Sequence, residues 1–569
     1  MIKKIINKYM SDESLSHLLV ITGVYILAQG FLLFASGMWW DDWVYANKNW
    51  DYLLEVFMQS SLPLQAYIDA SLWILPDGAY RILVFFFFYF GTLLVYLILR
   101  KIDLFSTDSA FWITLLYIVI PINDARITWI CYGYSVGLFA FWIAFYLVTL
   151  WRGKKGKKSI LMRILTLAVL IFSYNTESIM FMTLLILLYL YYEELKINWR
   201  WKELGNNIKK SFRTVVHYLD FLMAPIFFYF GKHLLFPGYG YYGGHNYVNW
   251  EYLPKIIINV PQYAYFTLKS LINNYYITLQ KNIAIIVLFL FIFCYFVIML
   301  IKKLSNNQEV KEEDSYVLLV IKFLVGLFVF LVGIFPYAVQ RNNVIETIGA
   351  GGRDSLLLGI GAAISFYYGT NLIIRKNLRK IVYCMLIIMG VFHFNLMYFE
   401  WQEDYYQQLR FEAEIAENKE ILKNDTFLCI YNYPPLIESF YQLNGNSWVV
   451  TGEESRYYLD SISDLAGLPD MNEESWILNA YNMREWDCSS TNHFIDGIIF
   501  INNTPIGNYD LLMLKIKELF NKEEFRQWII DTKDITFIPV TKEESDRLIE
   551  ASKLGTLTKD NIGEFVEAL

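Results

Sequence analysis

The sequence predicts an all-α, polytopic membrane domain of about eleven transmembrane helices followed by a small extracytoplasmic α/β domain, and three observations predict it. First, 56% of the 569 residues are hydrophobic and only 18% charged, where a soluble chain carries about a quarter charged. Second, the apolar residues come in runs of about twenty with almost no charge, the length that crosses ~30 Å of hydrocarbon. Third, lysines and arginines crowd every second short loop, the pattern that fixes topology. The 43 Tyr, 43 Phe and 17 Trp fit the same class, because amphipathic rings collect at membrane interfaces.

Candidate spans cover roughly 16–38, 81–99, 108–122, 130–150, 159–174, 178–193, 216–236, 282–301, 316–338, 356–374 and 381–399. The first run is long and many follow it, so it reads as a span and not as a cleaved signal peptide. The basic loops hold Lys3, Lys4 and Lys8, then Arg100 and Lys101, then Arg152 to Lys158, and later Lys196 to Arg213, Lys302 and Lys303, and Arg375 to Lys380. Their alternation puts these loops and the N-terminus in the cytoplasm, and an odd number of spans puts the C-terminal tail outside. Keeping that alternation requires 159–193 to be two short spans turning at Tyr174-Asn175-Thr176-Glu177-Ser178. The transmembrane domain is expected over 1–400 and the soluble domain over 401–569. Short β-like runs at Thr426–Tyr431, Trp448–Thr451 and Gly497–Ile501 alternate there with helical stretches such as Leu511–Phe520. Cys131, Cys294 and Cys384 sit in or beside apolar runs; Cys429 and Cys488 fall in the tail, where pairing is possible but not demanded by their spacing.

The outer loops hold the candidate chemistry. Directly after the first span, Trp39-Trp40-Asp41-Asp42-Trp43 sets two carboxylates among tryptophans at the membrane surface, a costly arrangement unless used or solvated. Asp41 or Asp42 can accept a proton from an attacking hydroxyl, or the two can share Mg2+ or Mn2+. The competing reading is a solvated loop start with an interfacial tryptophan belt. Glu177 in the hairpin turn is a second carboxylate for the same face, or a plain turn residue in water. The Gly- and Tyr-rich loop Phe236–His245 offers Tyr241 and His245, with Trp43, as surfaces for sugar rings, and Lys232 at its start as an anion contact or a snorkelling side chain. Arg341 and the run Gly349-Ala350-Gly351-Gly352-Arg353-Asp354-Ser355 combine close backbone approach with a guanidinium fork suited to phosphate. Arg126 is a further outer cation, or the partner of Asp124. The gathering of charge on the face away from the basic loops argues for a site that opens outward.

An acidic pair just after the first span, a late outer-loop arginine before a span and a soluble domain after the last one together resemble the GT-C superfamily of polytopic glycosyltransferases. The likeness in architecture runs the length of the chain, while the motifs that carry it are short. Bacterial glucosyltransferases that decorate surface polysaccharides are the nearest impression, and the tail lacks the Trp-Trp-Asp-Tyr-Gly run of oligosaccharyltransferases. The resemblance implies a polyprenyl-phosphate sugar donor, a surface polysaccharide or glycolipid acceptor, membrane lipid as surroundings and no nucleic acid. It also implies catalytic roles for Asp41, Asp42 and Glu177, with phosphate contacts from Arg353, Arg341 and Lys232 and substrate contacts from Trp43, Arg126, Tyr241 and His245. A metal-free inverting displacement is expected, with a divalent ion on Asp41 and Asp42 as the open alternative. A polymerase or ligase, or a flippase of lipid-linked glycans, are the rival classes. The Lys-, Asn- and Ile-rich composition suggests a bacterial plasma membrane.

Overall fold

The computed structural model describes residues 12–40, 42–45, 49–72, 74–75, 78–195, 204–240, 243, 252–305, 315–340, 344–418, 426–431, 440–451, 457–459, 462–467, 494–501, 505–532, 535–558 and 561–562, with backbone alone over 281–305. Among the described residues, six helices are long and apolar enough to cross a membrane, or seven if one bent pair is a single span. The main part of the protein is thus an all-α, multi-pass membrane protein.

α1 (Asp12–Gln29) runs into a 3-10 turn, Gly30–Phe34, and three short helices follow: α2 (Asp42–Tyr45), α3 (Trp50–Met58) and α4 (Pro63–Leu72). α4 begins on proline, whose missing N–H costs nothing in a first helical turn. α5 (Ala79–Leu99) and α6 (Thr107–Val119) come next, and the Ser106 side chain caps α6 by accepting from Ser109 N at 3.1 Å. A tight turn with Asn123 at φ +52 and a 3-10 helix, Asp124–Ile127, leads to α7 (Tyr132–Trp151). α8 (Lys157–Ser173) stops where the sequence places a hairpin turn, and a 3-10 helix, Glu177–Met182, carries the chain into α9 (Thr183–Leu195).

α10 (Leu204–His217) and α11 (Leu219–Leu235) meet at a bend of 50°. Arg163 of α8 holds that bend, with Nε and Nη2 donating to the two Asp220 carboxylate oxygens at 2.7 and 2.6 Å. α12 (Ile256–Ser305) contains the expected 282–301 span inside a helix of 50 residues. α13 (Tyr316–Gln340) and α14 (Gly359–Ile373) pack backbone to backbone at Gly361, where any Cβ would collide with the main chain of Phe330. Small residues at such crossings are how membrane helices approach closely. α15 (Lys376–Glu417) is the last long helix.

The chain divides into two compact units, one made of Met1–Phe34, Phe57–Ile127 and Cys131–Asn395, the other of Ala35–Val56, Thr128–Ile130 and Leu396–Leu569. The second unit contains a four-stranded sheet in the order β2-β1-β3-β4, with β1 Thr426–Tyr431, β2 Tyr457–Leu459, β3 Gly497–Ile501 and β4 Ile535–Pro539. β1 is parallel to β2 and β3, while β4 runs antiparallel to β3. Strand alternation sends Leu428 and Ile430 into one core with Leu548 and Ile549, and Phe427 and Cys429 into another with Phe411 and Leu443. The helices of this unit are α16 (Phe440–Thr451), α17 (Ile462–Gly467), α18 (Asn508–Phe520), α19 (Lys522–Thr532) and α20 (Lys542–Lys553), the last opened by a Thr541/Glu544 capping box. The stretch Trp448–Thr451, expected as β-like, is the end of α16. Asn446 and Ser447 are buried just before it, and the tertiary setting outweighs local β propensity there. Cys429 is buried in the sheet core, and Cys488 lies outside the described residues.

Candidate functional site

In the second unit, the segment after the first span is built into the protein interior. Trp39 donates from Nε1 to Trp401 O at 3.0 Å, and its ring meets the Trp401 ring edge-on. Ser36 N donates to Gln402 Oε1, Gln408 Nε2 donates to Met38 O, and Lys515 Nζ donates to Ser36 Oγ. Asp42 is fully buried. Its Oδ1 accepts from Ile130 N at 2.9 Å and its Oδ2 from Trp129 N at 3.1 Å. Ionised carboxylates bound by backbone N–H groups make charge-assisted bonds of roughly twice neutral strength, so Asp42 is an anchor. Trp43 is also buried, donating from Nε1 to Met38 O and packing against Gly445, where no Cβ fits. It offers no open face to a sugar. Asp41 lies outside the described residues.

In the first unit, a run of contacts starts at α4 and ends at α11. Gln65 Nε2 donates to Asp69 Oδ1 at 2.7 Å, and the Gln65 amide lies directly against Gly133. Thr176 Oγ1 donates to Gly133 O, and the next residue, Glu177, forms an ion pair with Lys232. Lys232 occupies the last turn of α11, where the helix dipole favours a cation, and both side chains are largely buried. Removing either partner of such a pair leaves an uncompensated buried charge. Tyr239 N, at the start of the Gly/Tyr loop, donates to Gln59 O, and Gly240 at φ +57 sits against the Gln59 side chain where a Cβ would collide.

Asp69 is not singled out by the sequence because it stands alone in a short helix, beside no second acid and outside the Trp-rich run. It is half-buried, and burial pushes its carboxyl up to about 7 while the Gln65 hydrogen bond pulls the other way.

A third cluster joins the α6–α7 turn to the glycine-rich segment. Asp124 is buried and accepts from Gly349 N at 2.7 Å, while Gly352 lies so close to the Asp124 carboxylate that no Cβ fits. Gly349, at φ +69, takes a left-handed conformation that a side chain would strain. Gly351 lies equally close to Glu346. The glycines therefore let the backbone approach carboxylates of the protein itself. Ser355 Oγ donates to Gly352 O and accepts from Asn123 N, which locks turn and segment together. Arg353, at the heart of the segment, keeps about a fifth of its side chain exposed, with Nε 3.9 Å from Asp354 Oδ1.

Arg126 is spent on structure. Its Nε and Nη2 each donate at 2.6 Å, to Asn123 O and Ile122 O, its Nη1 donates to Gln29 Oε1, and its guanidinium lies over the Phe88 and Phe394 rings. Burial pushes the Asp124 carboxyl up to about 7, against the pull of the Gly349 N–H and the Arg126 charge.

No protein-family model, no curated protein and no solved structure matches the chain. The geometry therefore carries the functional reading. Arg341, Tyr241 and His245 lie outside the described residues. Among the described residues, no group of three or more His, Cys, Asp and Glu side chains is arranged to hold a metal ion.

Two outcomes follow from these contacts. Asp42→Asn turns one acceptor oxygen into an amide facing an N–H donor, and should cost the fold about 2–3 kcal/mol. A thermal melt of the purified protein checks it, and an unchanged midpoint contradicts the anchor. Asp124, raised from 3.8 to about 7, stabilises the fold fully below pH ~4 and loses that contribution as pH rises towards 7. The loss is on the order of 4 kcal/mol. Asp124→Asn should therefore flatten the fall in stability between pH 4 and 7, read as the difference between variant and wild-type melting curves.

Proposed function

We propose that the protein is a polytopic glycosyltransferase of the GT-C kind, moving a sugar from a polyprenyl-phosphate donor to a surface glycan or glycolipid on the outer face of the membrane. One observation carries the reading. At the helix ends opposite the basic loops, Asp69, Glu177 and Lys232 belong to one run of contacts that also reaches Gly133 and Thr176. A buried ion pair beside a carboxyl pushed towards neutrality by burial marks a candidate functional site. In this reading the chain crosses the membrane eleven times, with its N-terminus inside and a separate α/β domain of the tail outside, because the basic loops alternate along the sequence.

The acceptor oxygen attacks the anomeric carbon and forms the new glycosidic bond. The bond from that carbon to the phosphate oxygen breaks, its electron pair leaves with the lipid phosphate, and the configuration inverts. The resemblance to the GT-C superfamily assigns the acceptor proton to Asp41, since the Asp42 carboxylate is already committed to two backbone amides. Such base catalysis is typically worth 10²–10⁴-fold. Lys232, held by Glu177, and Arg353 balance the charge growing on the leaving phosphate, each worth roughly 3–4 kcal/mol. Arg341 is a further cation for the same task. Asp69 is the second candidate base, because a carboxyl titrating near neutrality suits proton transfer.

The purified protein is given polyprenyl-phosphate glucose, N-acetylglucosamine, mannose or galactose with cell-wall polysaccharide, with and without EDTA. Wild type should turn over one donor; Asp41→Asn should lose 10²–10⁴-fold and Lys232→Met about 10²-fold. Loss at Asp69→Asn in place of Asp41→Asn moves the base to Asp69. Binding of lipid-linked glycan by folded protein without turnover of any donor refutes transfer in favour of polymerisation or flipping.

A further inference from the structure

At the opposite helix ends, the first unit holds a half-open cavity of about 1180 Å³. Its walls come from the C-terminal end of α5, the turn after it, and the facing sides of α7, α9, α13 and α14. Phe145, Leu188, Leu324 and Phe328 typify the lining, and among the described residues Asp103 is the only charged one there. The space exceeds the ~300–1,000 Å³ of usual small-molecule pockets, and its walls offer almost nothing for a polar ligand to bond.

The rim is different. Lys101, two residues before Asp103, places Nζ 5.1 Å from the centre of the Tyr146 ring, beside Phe145 of the lining. Arg152 lies over the Tyr189 ring, which lines the cavity, and its salt bridge at 2.7 Å engages Glu193. Desolvation first, and the charge of Lys154 second, hold the Lys101 ammonium below its ordinary value. Both lysines are exposed, and among the described residues neither is in an ion pair. Lys154 follows Arg152 in the turn that ends α7, its N donating to Trp151 O at 3.0 Å, so lysines from two turns border an apolar hollow where apolar helices give way to basic loops, and they call for an anion carried on hydrocarbon.

We propose that this cavity seats an acyl chain of an anionic phospholipid from the bilayer leaflet on the basic-loop side, with its phosphate held by Lys101 and Lys154. Asp103 and the spent Glu193 leave the rim net positive, which favours an anionic over a zwitterionic headgroup. Each lysine near such a headgroup contributes about a fivefold gain in affinity. The site is distinct from the one proposed for sugar transfer and does not depend on it.

Full-length protein in detergent is titrated with phosphatidylglycerol and with phosphatidylcholine, and bound lipid is counted by native mass spectrometry. Phosphatidylglycerol should bind more than tenfold tighter. Lys101→Gln with Lys154→Gln should bring it down to the phosphatidylcholine level, and Leu188→Trp, which fills the hollow from a side chain that is 40% exposed, should remove both. Circular dichroism confirms that each variant is folded. Equal binding of the two lipids, an undiminished preference in the lysine variant, or occupancy by polyprenyl phosphate alone overturns the proposal.

Discussion

The second compact unit depends on one buried carboxylate. Asp42 accepts from the main-chain amides of Trp129 and Ile130, and so ties the segment that leaves α1 to Thr128–Ile130. Trp39 to Trp401, Ser36 to Gln402 and Met38 to Gln408 then carry the link on to Leu396–Leu569, although hundreds of residues separate the segments. A buried charge with unsatisfied lone pairs would be ruinous. With backbone donors on both oxygens it becomes a fixed point around which Trp39, Trp43, Gln402 and Gln408 pack.

This arrangement recasts the acidic pair as two different residues. Asp42 sits where the fold needs an acceptor, and proton transfer in the proposed reaction falls to Asp41 or Asp69. Cations divide in the same way. Arg126 is clamped by carbonyls and rings, while Lys232 keeps one carboxylate partner and Arg353 keeps exposed surface.

The sequence made the membrane class and the helix breaks legible, since both follow from local composition. The break at Tyr174–Thr176 was readable from the polar turn residues between two apolar runs. What was not readable depends on contacts across the chain. Nothing local distinguishes Asp42 as an anchor, because its donors lie about ninety residues away. Arg126 reads as an outer cation until Phe88 and Phe394 close over it. The glycines of 349–352 signal close backbone approach, but only the fold reveals that Asp124 and Glu346 are what they approach.

The proposed transfer requires the donor phosphate at the helix ends that carry Glu177 and Lys232. A polyprenyl-phosphate sugar carrying a diazirine beside the phosphate, photolysed in the purified protein and mapped by peptide mass spectrometry, locates it directly. The predicted adducts fall within 57–72, 174–182, 228–240 and 344–355. Adducts confined to the basic-loop helix ends, near Lys101 and Arg152, would contradict it.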